Sequence, residues 1–216
     1  MRSAAFDIET TGLGPTDTIT CVAIAGDGWS WAWHMGPGYD HEETREAVKN
    51  QLDWATVLYA FNGATFDLPV MQRFFGYSDD DVGRWMAKLV DPLYAARGLL
   101  GFEACAKLAV ILELNGLPPK CGSGSNALDL ARDGRWDELA EYCAGDARLT
   151  WELLELPEVR WVCGLVFRKD TLWSRNEKMY CCWARGSSDP SGLRYSLGAL
   201  AEHGAAEPAG GTGHWR

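Results

Sequence analysis

Three short clusters in this sequence carry side chains that could do chemistry together. In Asp7-Ile8-Glu9, two carboxylates stand at i and i+2 at the end of an apolar run. On a strand they project from one face, about 7 Å apart at Cα. Acidic groups on a buried face need a compensating cation, and hard oxygen donors suit Mg²⁺ or Mn²⁺. The competing reading is a strand end that has simply reached solvent. Asn62-Gly63-Ala64-Thr65-Phe66-Asp67 follows an apolar strand and opens a helix. That is the edge of an open α/β sheet where ligands sit, although Asp67 read alone is better explained as a first-turn helix charge. Tyr142-Cys143-Ala144-Gly145-Asp146 puts Tyr142 and Asp146 on one helix face. A glycine inside a helix costs about 1 kcal/mol against alanine. Gly145 would let the helix approach a sheet or a ligand, and the plain alternative is a half-buried Tyr and a surface Asp.

These clusters need elements to hold them. Residues 4–9 read as a strand, 19–25 as a second, and 29–34 as a third that closes a hairpin across Gly26-Asp27-Gly28. Trp29, Trp31 and Trp33 alternate on that third strand and are expected to pack into the core. Helical spacing covers 41–52, strand character 57–61, a helix 67–75 and a short strand 88–90. Helices follow over 102–114, 126–132 and 136–156, with a Pro-, Gly- and Ser-rich loop at 118–125. The order βββ-α-β-α-β followed by helices predicts an α/β fold with an antiparallel hairpin in a mixed sheet. After Pro157 a hairpin is expected over 159–173, turning at Arg168-Lys169-Asp170. Residues 186–216, rich in Gly, Ala and Ser, read as a flexible tail with a short helix over 193–203.

The chain has 216 residues, with 20 Lys+Arg against 30 Asp+Glu and a net charge of −10. It is long enough for one full domain plus an appendage. An acidic balance argues against a protein that wraps phosphates in Lys and Arg. Seven cysteines without a CxxC pair fit free thiols rather than a disulfide framework or a zinc site. Asp7 and Glu9 interrupt any signal-peptide core, and the longest apolar run, Leu108 to Leu112, is far short of a membrane span. The expected location is the cytoplasm, with no membrane partner.

Taken in order, the clusters resemble the DEDD superfamily of 3′–5′ exonucleases, whose fold is ribonuclease H-like. The first motif is DxE, here in Asp7 to Leu13. The second places an Asp after an Asn-x-x-x-Phe stretch, here Asn62 to Asp67. The third is Tyr-x-x-x-Asp, here Tyr142 to Asp146, which marks the tyrosine branch. The resemblance runs from about residue 4 to 156. It implies a ribonuclease H-like five-stranded sheet over 1–156, leaving 157–185 as a basic hairpin extension and 186–216 as the tail.

The resemblance also implies roles. Asp7, Glu9, Asp67 and Asp146 would bind two Mg²⁺ or Mn²⁺ ions about 4 Å apart, and Tyr142 would orient the attacking water. The substrate would be the 3′ end of a nucleic acid, single-stranded DNA before RNA, released as nucleoside 5′-monophosphates. Thr10 to Leu13 would lie beside the terminal nucleotide, with Leu13 wedged between bases and Asn62 and Phe66 flanking the strand. Leu13 and Phe66 are equally readable as core residues. Lys120, on the Pro-Gly-Ser loop, is a candidate phosphate contact. Asp91 precedes Pro92 and is explained by the start of a helix. No polymerase or helicase sequence follows, so a separate polymerase, helicase or repair partner is compatible.

Other functions stay open on the residues alone. They are a catalytically silent nucleic-acid or protein-binding module, a ribonuclease H-type endonuclease, and a small-molecule phosphohydrolase. Residues 1–156 carry 12 basic and 24 acidic side chains, whereas 160–185 carry 6 and 2. Two divalent ions at the four carboxylates would supply locally much of the attraction for phosphate that basic residues usually provide.

Overall fold

The computed structural model describes residues 2–14, 16–101, 106–122 and 124–169. Its centre is strand β1 (Ser3–Thr10), which pairs antiparallel with β2 (Ile19–Gly26) and parallel with β4 (Val57–Tyr59). Strand β3 (Trp29–His34) closes the hairpin outside β2, and β5 (Leu89–Val90) runs parallel outside β4. The sheet order is β3-β2-β1-β4-β5. This is the mixed five-stranded sheet with an antiparallel hairpin that the element order predicts.

Alternation along β1 separates two environments. Phe6 and Ile8 point to one face and join a core with Val48 and Leu52 of α1 (His41–Trp54) and with Leu68 and Met71 of α2 (Asp67–Phe75). Burying each such side chain contributes about 1.5–3 kcal/mol. Asp7 and Glu9 take the opposite face, beside Ala23 and Cys21 of β2. There α7 (Trp136–Glu155) crosses the sheet, its buried Leu139, Tyr142, Cys143, Asp146, Ala147 and Thr150 recurring at helical spacing. The β2 residues beneath it, Cys21, Ala23 and Ala25, are all small, and so are Cys143, Ala144 and Ala147 above them. Small residues on both sides let helix and sheet approach closely.

One helix is absent from the sequence expectation, and a second was marked only by its start at Asp91-Pro92. Helix α3 (Asp79–Met86) starts with Ser78 and Asp81 capping each other's backbone N–H, a capping box in which Asp stands where Glu or Gln is usual. Helix α4 (Pro92–Leu100) starts with Asp91 as its cap and Pro92 in the first turn. Helix α5 (Leu108–Leu114) begins later than the helical pattern suggests, because Lys107 is extended, while residues 102–105 are outside the described set. Helix α6 (Gly124–Arg132) begins at the end of the Pro-Gly-Ser segment. Trp29 and Trp33 pack against the core, but Trp31 is 58% exposed because β3 is the edge strand.

Past Pro157, β6 (Glu158–Arg160) pairs antiparallel with β7 (Val166–Arg168). The chain turns through a 3-10 segment at Val162–Gly164, where Gly164 has φ +74°, inside the run expected to be one strand, while the expected turn at 168–170 extends past the described residues. Val159, Trp161 and Phe167 bury against Leu153, Leu154 and Ile111, so the pair packs onto the main body. The expected continuation through Thr171–Trp173, the short helix over 193–203 and the flexible tail over 186–216 lie outside the described residues. Among the described residues, no helix is long and apolar enough to cross a membrane.

Candidate active site

Strand β4 covers only Ser3–Ala5 of β1, so the edge of β1 farther along is open on that side. The backbone N–H of Ile8 there donates to Asp67 Oδ1 at 3.2 Å. That bond carries the first residue of α2 to the strand holding Asp7 and Glu9. On the opposite side α7 lays Cys143 against the same strand, its Sγ 3.6 Å from Asp7 O and 3.9 Å from Asp7 Oδ2. One ligating atom each from Asp7, Glu9 and Cys143 lies within 4.8 Å of the others. Asp146 follows one turn after Tyr142 and is almost fully buried. Asp7, Glu9, Asp67, Tyr142 and Asp146 are thus brought together at the end of β1.

The electrostatics are those of crowded anions with one cation threaded among them. Burial, then Glu9, Asp67 and Asp146, raise the Asp7 carboxyl well above the carboxylate range. Burial, then the Asp146 charge, pushes Glu9 up to about 8. Burial and then Asp91 push Asp67 up to about 7, against the backbone N–H of Ile8. Asp146 is raised by burial and opposed by Lys120, whose Nζ lies 2.6 Å from Asp146 Oδ2. The Lys120 charge also favours ionised Asp7 and Glu9. Burial pushes the Tyr142 hydroxyl up to about 12. That hydroxyl is near enough to Asp146 to favour its charged form, yet it is buried without a hydrogen bond of ordinary geometry.

A cleft of about 340 Å³ has Thr10, Leu13, Thr65, Phe66 and Arg73 in its wall; Thr10 and Phe66 adjoin Glu9 and Asp67 in the chain, but none of the four carboxylates lines it. Leu13 is 86% exposed and so is not a core residue, while Phe66 is partly buried. The loop bearing Leu13 leaves β1 at a bulge between Glu9 and Thr10. Asp17 gathers this loop, accepting from the N–H of Gly14 and from Thr11 Oγ1 at 3.1 Å. A Cβ at Gly12 would come within 2.6 Å of Asp17 Oδ2, so a side chain at position 12 would have to push the Asp17 carboxylate off the loop it gathers. Arg73 Nη2 donates to Asp17 O at 3.0 Å and ties the loop to α2.

Asn62 is turned to internal work. Its amide oxygen accepts from Thr65 Oγ1 at 2.7 Å and Arg97 Nη1 at 2.6 Å. Lys120 is directed at Asp146. Gly145 does not mark a close approach, because a Cβ there would meet nothing nearer than Arg148 Nη2 at 3.9 Å. The close approach is made instead by Cys143 and Ala147 over β2. Sequence reasoning passed over Arg73, which carried no local signal. The Asp-Pro step after a strand was the available signal for Asp91, as a helix start, but the residue also holds the 62–64 backbone.

The family model RNase_H_2, of the RNase_H superfamily, matches residues 4–113. Among solved structures the chain is similar to the family B DNA polymerase from the hyperthermophilic archaeon Pyrobaculum calidifontis. The TM-score is 0.53 and the identity 21%, over 72% of this chain and 24% of that one. The likeness is therefore one of fold, and the chain spans about a quarter of that polymerase. No curated protein matches the sequence.

Proposed function

Because the chain belongs to the RNase_H superfamily, we propose that it is a nuclease of the tyrosine-branch DEDD type, removing nucleotides from the 3′ ends of nucleic acid. The observation that carries this reading is the convergence of Asp7, Glu9, Asp67 and Asp146 beside the unpartnered hydroxyl of Tyr142. Four carboxylates drawn together, with Asp7 and Glu9 raised by burial and then by the charges of the others, are an oxygen donor set suited to divalent cations such as Mg²⁺ or Mn²⁺. Asp7 would bridge two ions, Glu9 and Asp146 would complete the site of one, and Asp67 would hold the other. When bound, such ions activate water and stabilise charge on the attacking and leaving oxygens.

The chain's own groups do the rest. Tyr142, with its pKa pushed up to about 12, stays protonated at neutral pH. It therefore orients a water by hydrogen bonding and does not act as a base. Thr10, Leu13 and Phe66 would receive the terminal nucleotide, exposed Leu13 wedging against a base. Asn62 would flank the strand chiefly through the backbone it shapes, and Lys120 would meet a phosphate. Single-stranded DNA is the first substrate to test and RNA the second, each giving nucleoside 5′-monophosphates. We assign 1–156 to the nuclease domain, 157–185 to a basic extension and 186–216 to a tail. The protein would act in the cytoplasm, alone or beside a separate polymerase, helicase or repair partner.

One experiment tests the reading. Single-stranded DNA and RNA, labelled at the 3′ or 5′ end, are incubated with Mg²⁺, Mn²⁺ or EDTA, with Asp146→Ala as control. Stepwise loss from the 3′ end, absent in EDTA and in the variant, is the expected result. Internal cuts on an end-blocked strand would instead mark an endonuclease. Binding without turnover under any metal would mark a silent module.

A further inference from the structure

Lys120 is the feature of the cluster that the proposed mechanism leaves least explained. Its loop joins α5 to α6, and from there it reaches across to α7. The ammonium lies 2.6 Å from Asp146 Oδ2, with the two side chains only 20% and 4% exposed. It also lies 5.7 Å from the centre of the Tyr142 ring. Its charge acts on Asp7 and Glu9 as well as on its direct partner. A compact cation thus already occupies the Asp146 side of a site whose carboxylates call for cations.

We propose that the Lys120 ammonium is the resident cation of this cluster, and that a divalent ion loads the Asp146 side by exchange with it. The inference rests on the metal-dependent reading above and deepens it. The Asp146 oxygen committed to Lys120 is blocked for inner-sphere coordination until the ammonium leaves. Two cations sharing that buried carboxylate would also repel each other strongly. Leaving requires no refolding, because a lysine carries its charge on a flexible four-carbon stem. The resident ammonium keeps the metal-free site from holding unbalanced buried anions, and lowers apparent affinity for the incoming ion. Loading then frees a cation beside the site, in reach of an arriving phosphate.

The test uses full-length protein stripped with EDTA and titrated with Mn²⁺, following free Mn²⁺ by electron paramagnetic resonance. Wild type is compared with Lys120→Met, Lys120→Arg and Asp7→Asn. Lys120→Met is expected to bind Mn²⁺ at least about tenfold more tightly than wild type. Lys120→Arg, which keeps the charge, should stay near wild type. In EDTA, Lys120→Met should melt below wild type, and its gain in Tm on adding Mn²⁺ should be the larger one. That second readout holds if the variant is only marginally folded without metal. Equal or weaker Mn²⁺ binding by Lys120→Met, with the wild-type site intact, overturns the exchange alone. Wild type binding Mn²⁺ no better than Asp7→Asn overturns the metal reading itself, and the exchange with it.

Discussion

Asp91 Oδ1 accepts the backbone N–H of Asn62 at 3.1 Å, and Asn62 is the one non-glycine residue with positive φ, +78°, among the described residues. A non-glycine residue in the left-handed region is costly and must be held there. The other Asp91 oxygen accepts from Ala64 N at 3.0 Å, and Oδ1 also caps α4 through Tyr94 N at 3.0 Å. One buried carboxylate therefore fixes the turn between β4 and α2, and with it the position of Asp67.

Asp91→Ala would leave these N–H groups buried and unpaired. The expected loss is about 3 kcal/mol or more of stability, read by urea unfolding, with weaker nuclease activity in the fraction still folded. Asp91→Asn keeps an acceptor and should lose less. Equal stability of wild type and Asp91→Ala would show that the turn holds itself.

Asp146→Ala is expected to lower hydrolysis by at least about 100-fold, since it removes a carboxylate that would hold a metal. Tyr142→Phe should slow turnover about 10- to 100-fold by leaving the water poorly oriented. Its Mn²⁺ affinity should stay close to wild type. Single-turnover rates on a 3′-labelled strand, set beside Mn²⁺ titrations, separate the two effects. An unchanged rate in Tyr142→Phe would remove that hydroxyl from the chemistry.

The metal-free site makes a signed prediction about pH. Glu9 and Asp67 are pushed up to about 8 and 7, far above ordinary carboxyls. Their contribution is fully present below pH 4, where these groups are protonated in both folded and unfolded chains. It is lost as pH rises above that, because the unfolded chain ionises them first, and the loss is complete once pH has passed the folded values near 7 and 8. In EDTA, Tm should therefore fall between pH 5.5 and 8.5, by less in Glu9→Gln than in wild type, and Mn²⁺ should oppose the fall. Parallel Tm profiles for the two proteins in EDTA would exclude Glu9 as a source of the dependence.

Leu13→Ala should leave stability within about 0.5 kcal/mol of wild type, as an exposed side chain has little packing to lose. Its KM for single-stranded ends should rise several-fold if Leu13 meets a base. An unchanged KM across DNA and RNA ends would assign it no such contact.

Much of the site was legible because its parts are local. Asp7 and Glu9 are readable as a pair from strand alternation, Tyr142 and Asp146 from helical spacing, and Asp67 from its place at a strand-to-helix step. What was not legible depends on contacts made across the chain. Nothing near Lys120 in sequence says that it reaches Asp146, and nothing near Arg73 says that it ties down Asp17. Gly145 drew attention as the small residue of its motif, but the face that meets the sheet is set by Cys143 and Ala147. Helix α3 was missed because its cap uses Asp81 in place of the usual longer acid. Trp31 was expected inside because alternation fixes the face of a strand, whereas exposure depends on the strand's rank in the sheet.

The run of small residues beneath α7 makes the sheet-to-helix spacing a mechanical setting of the site. Ala23 carries no functional group, yet it is the β2 neighbour of Asp7 and lies in the layer on which α7 rests. Ala23→Val adds two methyl groups there and would wedge the helix outward, drawing Asp146 and Tyr142 away from Asp7 and Glu9. Such a substitution would read in a screen as the loss of a ligand while every ligand was still present. Damage to this protein should therefore map onto the alanines of β2 as well as onto its acids, and a second-site reduction in volume on α7, such as Ala147→Gly, is where suppressors should arise.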